Sequence, residues 1–242
     1  YITDLKAYLN CEYGNSSSNP AYRATNIYIN GEIATNVVIP EGVCKIPWYA
    51  FYGWDSLTSI TIPESVTNIG NYAFSGCDNL NEVYISNLAA YINCQYGKYW
   101  SVPGFKKVKV NVYLNNELIE NLEIPDGVET IADYLFYGWS NLKSVTIPES
   151  VKSIGANAFC LCKGLINVTI PEGVEYIGAR AFSGCENLIA LTLPKTLTYV
   201  GEDAFGTTGS GFSERLDGPT IRQLYIEDLT AYMNCTYSNI KS

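Results

Sequence analysis

The chain has 242 residues, of which 47% are hydrophobic and only 16% charged, and 24 Asp plus Glu against 15 Lys plus Arg leave a formal charge of −9 at pH 7. That balance argues against nucleic acid and anionic membrane surfaces as partners, because both are gripped through clustered Lys and Arg. Histidine is absent from the sequence, which removes Ser-His-Asp and Cys-His nucleophiles, imidazole bases and His-based metal sites, and no run of about 18 apolar residues is present to insert in a bilayer.

In chain order the first element is Y-I-T-D-L-K-A-Y-L-N-C, Tyr1 to Cys11. Leu5, Tyr8 and Leu9 have i, i+3, i+4 spacing, which predicts a short amphipathic helix. A polar loop with Tyr13 and Tyr22 follows, and Asn30-Gly31 between alternating apolar residues predicts a type I′ hairpin. This helix-loop-hairpin module spans 1–39. Two repeated coils occupy 40–83. A second module covers 84–124, with its helix on Leu88, Tyr91 and Ile92, its loop carrying Tyr96, Tyr99, Trp100 and Phe105, and Asn115-Asn116 in the hairpin position. Four coils fill 125–205. A Gly- and Ser-rich inserted loop, 206–219, leads to a truncated third module at 220–242, whose helix falls on Leu229, Tyr232 and Met233 and whose loop holds Tyr237. Both ends lie inside modules, so the chain reads as a piece of a longer repeat protein and as a single continuous body, monomeric as a piece.

The coils are marked by Pro40, Pro63, Pro125, Pro148, Pro171 and Pro194, spaced by 23 within each block, and each has a Phe eleven residues on: Phe51, Phe74, Phe136, Phe159, Phe182 and Phe205. Ala precedes that Phe everywhere except at Leu135. In the unit read from Leu142, Val145 and Ile147 share one face of a strand ended by Pro148. Val151 and Ile154 point inward from a second extended stretch, Gly155 is expected to permit a bend, and Ala158-Phe159 to make a short helical or 3₁₀ turn. One unit cannot bury its own inward row, so units must stack about 4.8 Å apart with phenylalanine forming the dominant ladder.

The motif I-P-E-x-V-x-x-I-G-x-x-A-F-x-x-C, followed by the next leucine, resembles the BspA-type leucine-rich repeats of bacterial surface proteins, and the modules look like decorated segments in such proteins from gut Firmicutes. The resemblance implies an α/β repeat fold, a right-handed solenoid with a parallel sheet along one face, built from 23-residue coils interrupted by helix-loop-hairpin modules. It also implies secretion or surface display and non-enzymatic binding or adhesion to a protein or polysaccharide. A structural spacer with no ligand of its own is the alternative.

Candidate sites follow from the same frame. Outward strand positions include Thr61, Tyr84, Thr146, Thr169 and Thr192, a row suited to a peptide or glycan but equally explained by good strand formers on a sheet surface. Tyr96, Tyr99 and Trp100 in the second loop could stack on sugars or fold back as a local core. The acids Glu41, Glu64, Asp126, Glu149 and Glu172 recur after the prolines, which marks them as turn residues rather than a glycosidase pair. Cys77, Cys162 and Cys185 share a core slot that is Trp54 or Trp139 in the first coil of each block, so reduced thiols are expected, with a Cys162–Cys185 bridge or soft-metal site as the minor alternative. No cofactor is expected.

Overall fold

Alternating apolar residues over three or four positions, stopped by proline, can make only short strands, and the computed structural model, which describes residues 1–22, 24, 26–97, 101–104, 109–206, 223–226 and 236–237, is built from them. The chain divides into two compact units, Tyr1–Leu118 and Ile119–Ser242.

The first unit begins with helix α1 (Leu5–Leu9), started by Asp4, whose carboxylate accepts the Ala7 N–H at 2.9 Å. Strands β1 (Tyr28–Ile29) and β2 (Glu32–Ile33) form an antiparallel hairpin whose turn holds Asn30 at φ 52° and Gly31 at φ 90°, the left-handed pair that a type I′ turn demands. Then come β3 (Asn36–Val38), β4 (Lys45–Ile46), β5 (Ser59–Ile62), β6 (Asn68–Ile69), β7 (Glu82–Ile85), helix α2 (Leu88–Asn93), β8 (Gln95–Tyr96), β9 (Asn111–Leu114) and β10 (Glu117–Leu118). Strands β3, β5, β7 and β9 form a parallel ladder, closed at one edge by antiparallel β10. Strands β4, β6 and β8 make a second parallel ladder.

The second unit repeats the arrangement. Strands β11 (Asn121–Glu123), β13 (Ser144–Thr146), β15 (Asn167–Thr169), β17 (Ala190–Leu193) and β19 (Gln223–Ile226) form the first ladder. Strands β12 (Thr130–Ile131), β14 (Ser153–Ile154), β16 (Tyr176–Ile177), β18 (Tyr199–Val200) and β20 (Thr236–Tyr237) form the second. Both units are therefore solenoids of stacked coils with parallel sheets.

The arc around each Phe differs from the expected helical turn. Asn157 (φ 56°) and Leu161 (φ 62°) are left-handed, so helical hydrogen bonding cannot propagate between them. Instead the N–H groups alternate. Those of Ala158, Cys160 and Cys162 close tight turns within the coil, while those of Asn157, Phe159 and Leu161 donate to the carbonyls of Ala179, Ala181 and Ser183 on the next coil, at 2.9, 2.7 and 2.8 Å. The arc is thus a third ladder between coils.

Gly155 also serves another purpose than the expected bend. Its φ is ordinary, but a Cβ there would stand 2.6 Å from the Asp133 backbone nitrogen, and one at Gly178 would stand 2.5 Å from that of Ala156. Glycine at this position lets one coil's backbone lie directly on the preceding coil. The first coil of each block has Pro47 or Ala132 instead.

Inside, Phe51 stacks on Phe74 at 5.2 Å between ring centres, and Phe136, Phe159, Phe182 and Phe205 stack in sequence at 5.0, 5.1 and 5.6 Å. Phe51, Phe136, Phe159 and Phe182 have no exposed surface. The expected phenylalanine ladder is present in both units.

Candidate binding face

The period-2 strands that aim Val145, Val168 and Leu191 into the core must aim their neighbours out. In the second unit this makes one outward row from Glu123 through Thr146, Thr169 and Thr192 to Tyr225, each on its own strand of the first ladder. Register sets Glu123 beside Thr146, Thr169 beside Thr192, and Thr192 beside Tyr225. Tyr225 is 54% exposed. A parallel row holds Asn121, Ser144, Asn167 and Ala190.

In the first unit the corresponding row is Val38, Thr61, Tyr84 and Tyr113, with Leu118 beside Tyr113 across the antiparallel edge. Its character is more apolar. Val38 is 64% exposed, and the Tyr84 and Tyr113 rings stack at 4.7 Å. The Tyr84 hydroxyl donates to Glu82 at 3.1 Å, and desolvation together with that carboxylate moves the phenol above its ordinary value.

Hydroxyls on the two rows are used differently. Ser59 donates to Asn36 Oδ1 at 2.8 Å and Ser144 to Asn121 Oδ1 at 2.7 Å, so those side chains bind one another across the strands. Among the described residues, Thr61, Thr146, Thr169 and Thr192 have no hydroxyl partner. Four donor-acceptor groups therefore face outward unspent. Beside the N-terminal ends of β13, β15 and β17 runs a shallow groove of about 480 Å³, where Ile166 and Ile189 are exposed between Asn141, Asn187 and the Lys143–Glu120 ion pair.

The loop aromatics are placed otherwise. Tyr13 is buried, and its hydroxyl donates to the Tyr8 carbonyl at 3.1 Å. Tyr96 is half-buried and donates in the same way to the Tyr91 carbonyl at 2.7 Å, and burial pushes its phenol upward. Tyr22 lies against Tyr52 at 5.9 Å. Tyr13 and Tyr96 thus fold back onto their helices, while Tyr22 packs on the first coil. Tyr99, Trp100 and Phe105 lie outside the described residues.

The core cysteines are thiols. Cys77, Cys162 and Cys185 donate to the carbonyls of Phe51, Phe136 and Phe159 on the preceding coil, at 2.9, 3.2 and 3.2 Å. Burial drives all three well above the ordinary thiol range, so they stay protonated and unreactive. In the first coil of each block Trp54 or Trp139 fills the slot instead. No cluster of metal-ligating side chains occurs among the described residues, and no described helix is long and apolar enough to cross a membrane. Glu172 is paired with Lys195 at 3.7 Å, while Glu41, Glu64, Asp126 and Glu149 stand exposed in their turns.

The sequence matches the BspA type leucine rich repeat region in six copies, over residues 24–96 and 106–239. The chain belongs to this family. Comparison with curated proteins finds no match. BspA-type coils of this chain are similar to a leucine-rich repeat protein from Bacteroides ovatus (24% identity, 74% of this chain and 52% of that one, TM-score 0.47). They are also similar to a leucine rich cell surface protein from Faecalibacterium prausnitzii (18% identity, 85% and 63%, TM-score 0.46) and to a T. pallidum leucine rich repeat protein (25% identity, 80% and 71%, TM-score 0.39). The chain thus spans about half the length of the first of these and under two thirds of the second.

Sequence reasoning on the BspA-type coils found the outward threonines but missed Val38 and Tyr113 in the first unit's row and Tyr225 in the second's. Tyr113 was legible in principle. N-V-Y-L alternates as a strand immediately before the Asn115-Asn116 turn, which places Tyr113 outward, but its alignment with Tyr84 depends on a pairing across 29 residues that no local signal specifies.

Proposed function

We propose that this BspA-type protein is a non-enzymatic, extracellular binding module in which each unit presents the outward row of its own first ladder to a neutral polar ligand, a polysaccharide or a protein. The observation that supports it is the set of unpartnered hydroxyls of Thr146, Thr169 and Thr192 on the successive strands β13, β15 and β17 of the second unit, about 4.8 Å apart, with Thr61 in the corresponding place on β5 of the first unit. Tyr225 supplies aromatic area beside the second unit's row and the Tyr84–Tyr113 pair beside the first unit's, while Tyr99 and Trp100 are a separate candidate that rests on the sequence alone. Secretion or surface display accords with the family. A right-handed coil accords with the near-universal hand of parallel strand crossovers, and the helix-loop-hairpin segments are read as decorations that interrupt the coil.

The test is a glycan and extracellular-matrix array probed with the chain, with Trp100→Ala, and with Thr146, Thr169 and Thr192 all changed to alanine. Binding that the triple variant loses, with its melting transition retained, supports the sheet face. Loss with Trp100→Ala alone moves the site to the loop. Silence of the unaltered chain on both arrays sinks the proposal and leaves a spacer.

A further inference from the structure

Among the described residues, two thiols stand apart from the core set. Cys11 and Cys44 are exposed, whereas Cys77, Cys94, Cys160, Cys162 and Cys185 are buried. Cys44 is anomalous in its repeat. The same position, immediately before the second-ladder strand, is Thr67, Glu129, Lys152, Glu175 and Thr198 in the other coils, so the fold there asks for a polar surface residue and gains no core contact from sulfur. Cys44 belongs to the first coil of its block, and that coil lies under the α1 segment.

Two contacts fix how those segments lie together. The Glu12 carboxylate meets the Lys45 ammonium at 2.7 Å, which pairs the residue after Cys11 with the residue after Cys44. Further back, the Lys6 ammonium lies over the Gly42 turn, 3.5 Å from where a Cβ on Gly42 would stand. Residues 6–12 therefore run along residues 42–45, and each thiol sits inside its bracketed stretch. The Cys11 thiol hydrogen-bonds to the Ala7 carbonyl of its own helix at 3.5 Å, and the Cys44 thiol to the Gly42 carbonyl of its own turn at 3.8 Å.

We infer that Cys11 and Cys44 are a disulfide site that clamps the α1 segment onto the first coil under oxidising conditions. A disulfide needs Cα atoms within about 7 Å of one another, and the Glu12–Lys45 ion pair sets the residues that follow the two cysteines side by side. The oxidant is a small-molecule disulfide such as oxidised glutathione. One cysteine sulfur attacks it, forming a mixed disulfide and releasing one glutathione thiol. The second cysteine sulfur then displaces the other glutathione. In balance, two protein S–H bonds and one glutathione S–S bond are exchanged for one protein S–S bond and two glutathione S–H bonds. The clamp does not depend on the ligand proposed above.

The test treats the reduced chain with oxidised glutathione and maps disulfides by peptide mass under non-reducing conditions, alongside Cys11→Ser and Cys44→Ser. The expected product is a monomer that has lost two hydrogens, with the peptides of Cys11 and Cys44 linked. In each single variant the remaining member of the pair should instead retain one glutathione. Tm of the linked protein should rise by several degrees over the reduced form and over either variant, because closing the loop between these residues restricts the unfolded chain. Glutathione left on both cysteines, a dimer linked through either, or a link through Cys162 and Cys185 instead would each overturn the assignment. A link that forms without moving Tm would overturn the clamp.

Discussion

A glycine with ordinary backbone angles gains nothing from its conformational freedom, so Gly155, Gly178 and Gly201 must be there for what they lack. A Cβ on Gly201 would lie 2.3 Å from the Ala179 nitrogen, backbone that cannot swing aside as a flexible side chain could. Gly178→Ala should therefore cost about 1–3 kcal/mol or more through overpacking, whereas Ala132→Gly, at the equivalent place with no coil of its block before it, should cost only about 0.5–1 kcal/mol. Equal losses in urea unfolding would show that the position is sensitive for some other reason. Phe159 presents the opposite case, since it is filled space. Held between Phe136 and Phe182, it should cost about 3–5 kcal/mol as Phe159→Ala, and an unchanged melt would refute the ladder. Ser150 completes the set by both accepting the Gly127 N–H at 3.1 Å and donating to the Val128 carbonyl at 2.9 Å. Ser65 and Thr196 make the same double bond to their preceding coils.

Between coils, each Phe-arc carbonyl is satisfied by its predecessor's N–H, as the Ala73 carbonyl is by Phe51. The Ala50 carbonyl of the first coil has no predecessor. Helix α1 and its loop supply the missing donors: the Tyr8 hydroxyl and the Asn19 side-chain amide both bind it, and Asn19 is itself buried and anchored by the Ala21 N–H at 2.8 Å. The element is a cap, and it sets a pH limit. Burial raises the Tyr8 phenol far above its ordinary 10, so the folded state resists ionisation that the unfolded chain accepts. The stabilisation is complete below pH about 10 and is lost as pH rises beyond it. Alkaline unfolding should be blunted in Tyr8→Phe, at the expense of stability at neutral pH from the Ala50 carbonyl left underbonded. An identical alkaline transition in both proteins would remove Tyr8 from that role. The helix itself was legible from Leu5, Tyr8 and Leu9, because periodicity is local. Its capping purpose was not, since Tyr8 and Ala50 are joined only by folding. The same divide explains Gly155: the repeat marked a recurring glycine there but could not distinguish a bend from a close approach, which depends on the neighbouring coil.

For the molecule as a whole, the charge of −9 and the neutrality of the proposed face make different demands on a ligand. Acids occupy turns such as Glu41, Glu64 and Glu149, while the threonine row carries Glu123 as its one acid among the described residues. A cationic ligand held by the general acidic surface would interact through exposed charges, which salt screens, with a Debye length of about 10 Å at 0.1 M shrinking to about 3 Å at 1 M. Hydroxyl and amide contacts on the sheet face have no such dependence. Affinity for whatever the arrays identify should therefore change by less than about threefold between those salt concentrations. A fall of tenfold or more, about 1.4 kcal/mol, would assign recognition to the acidic turns and leave the threonine row as ordinary sheet surface.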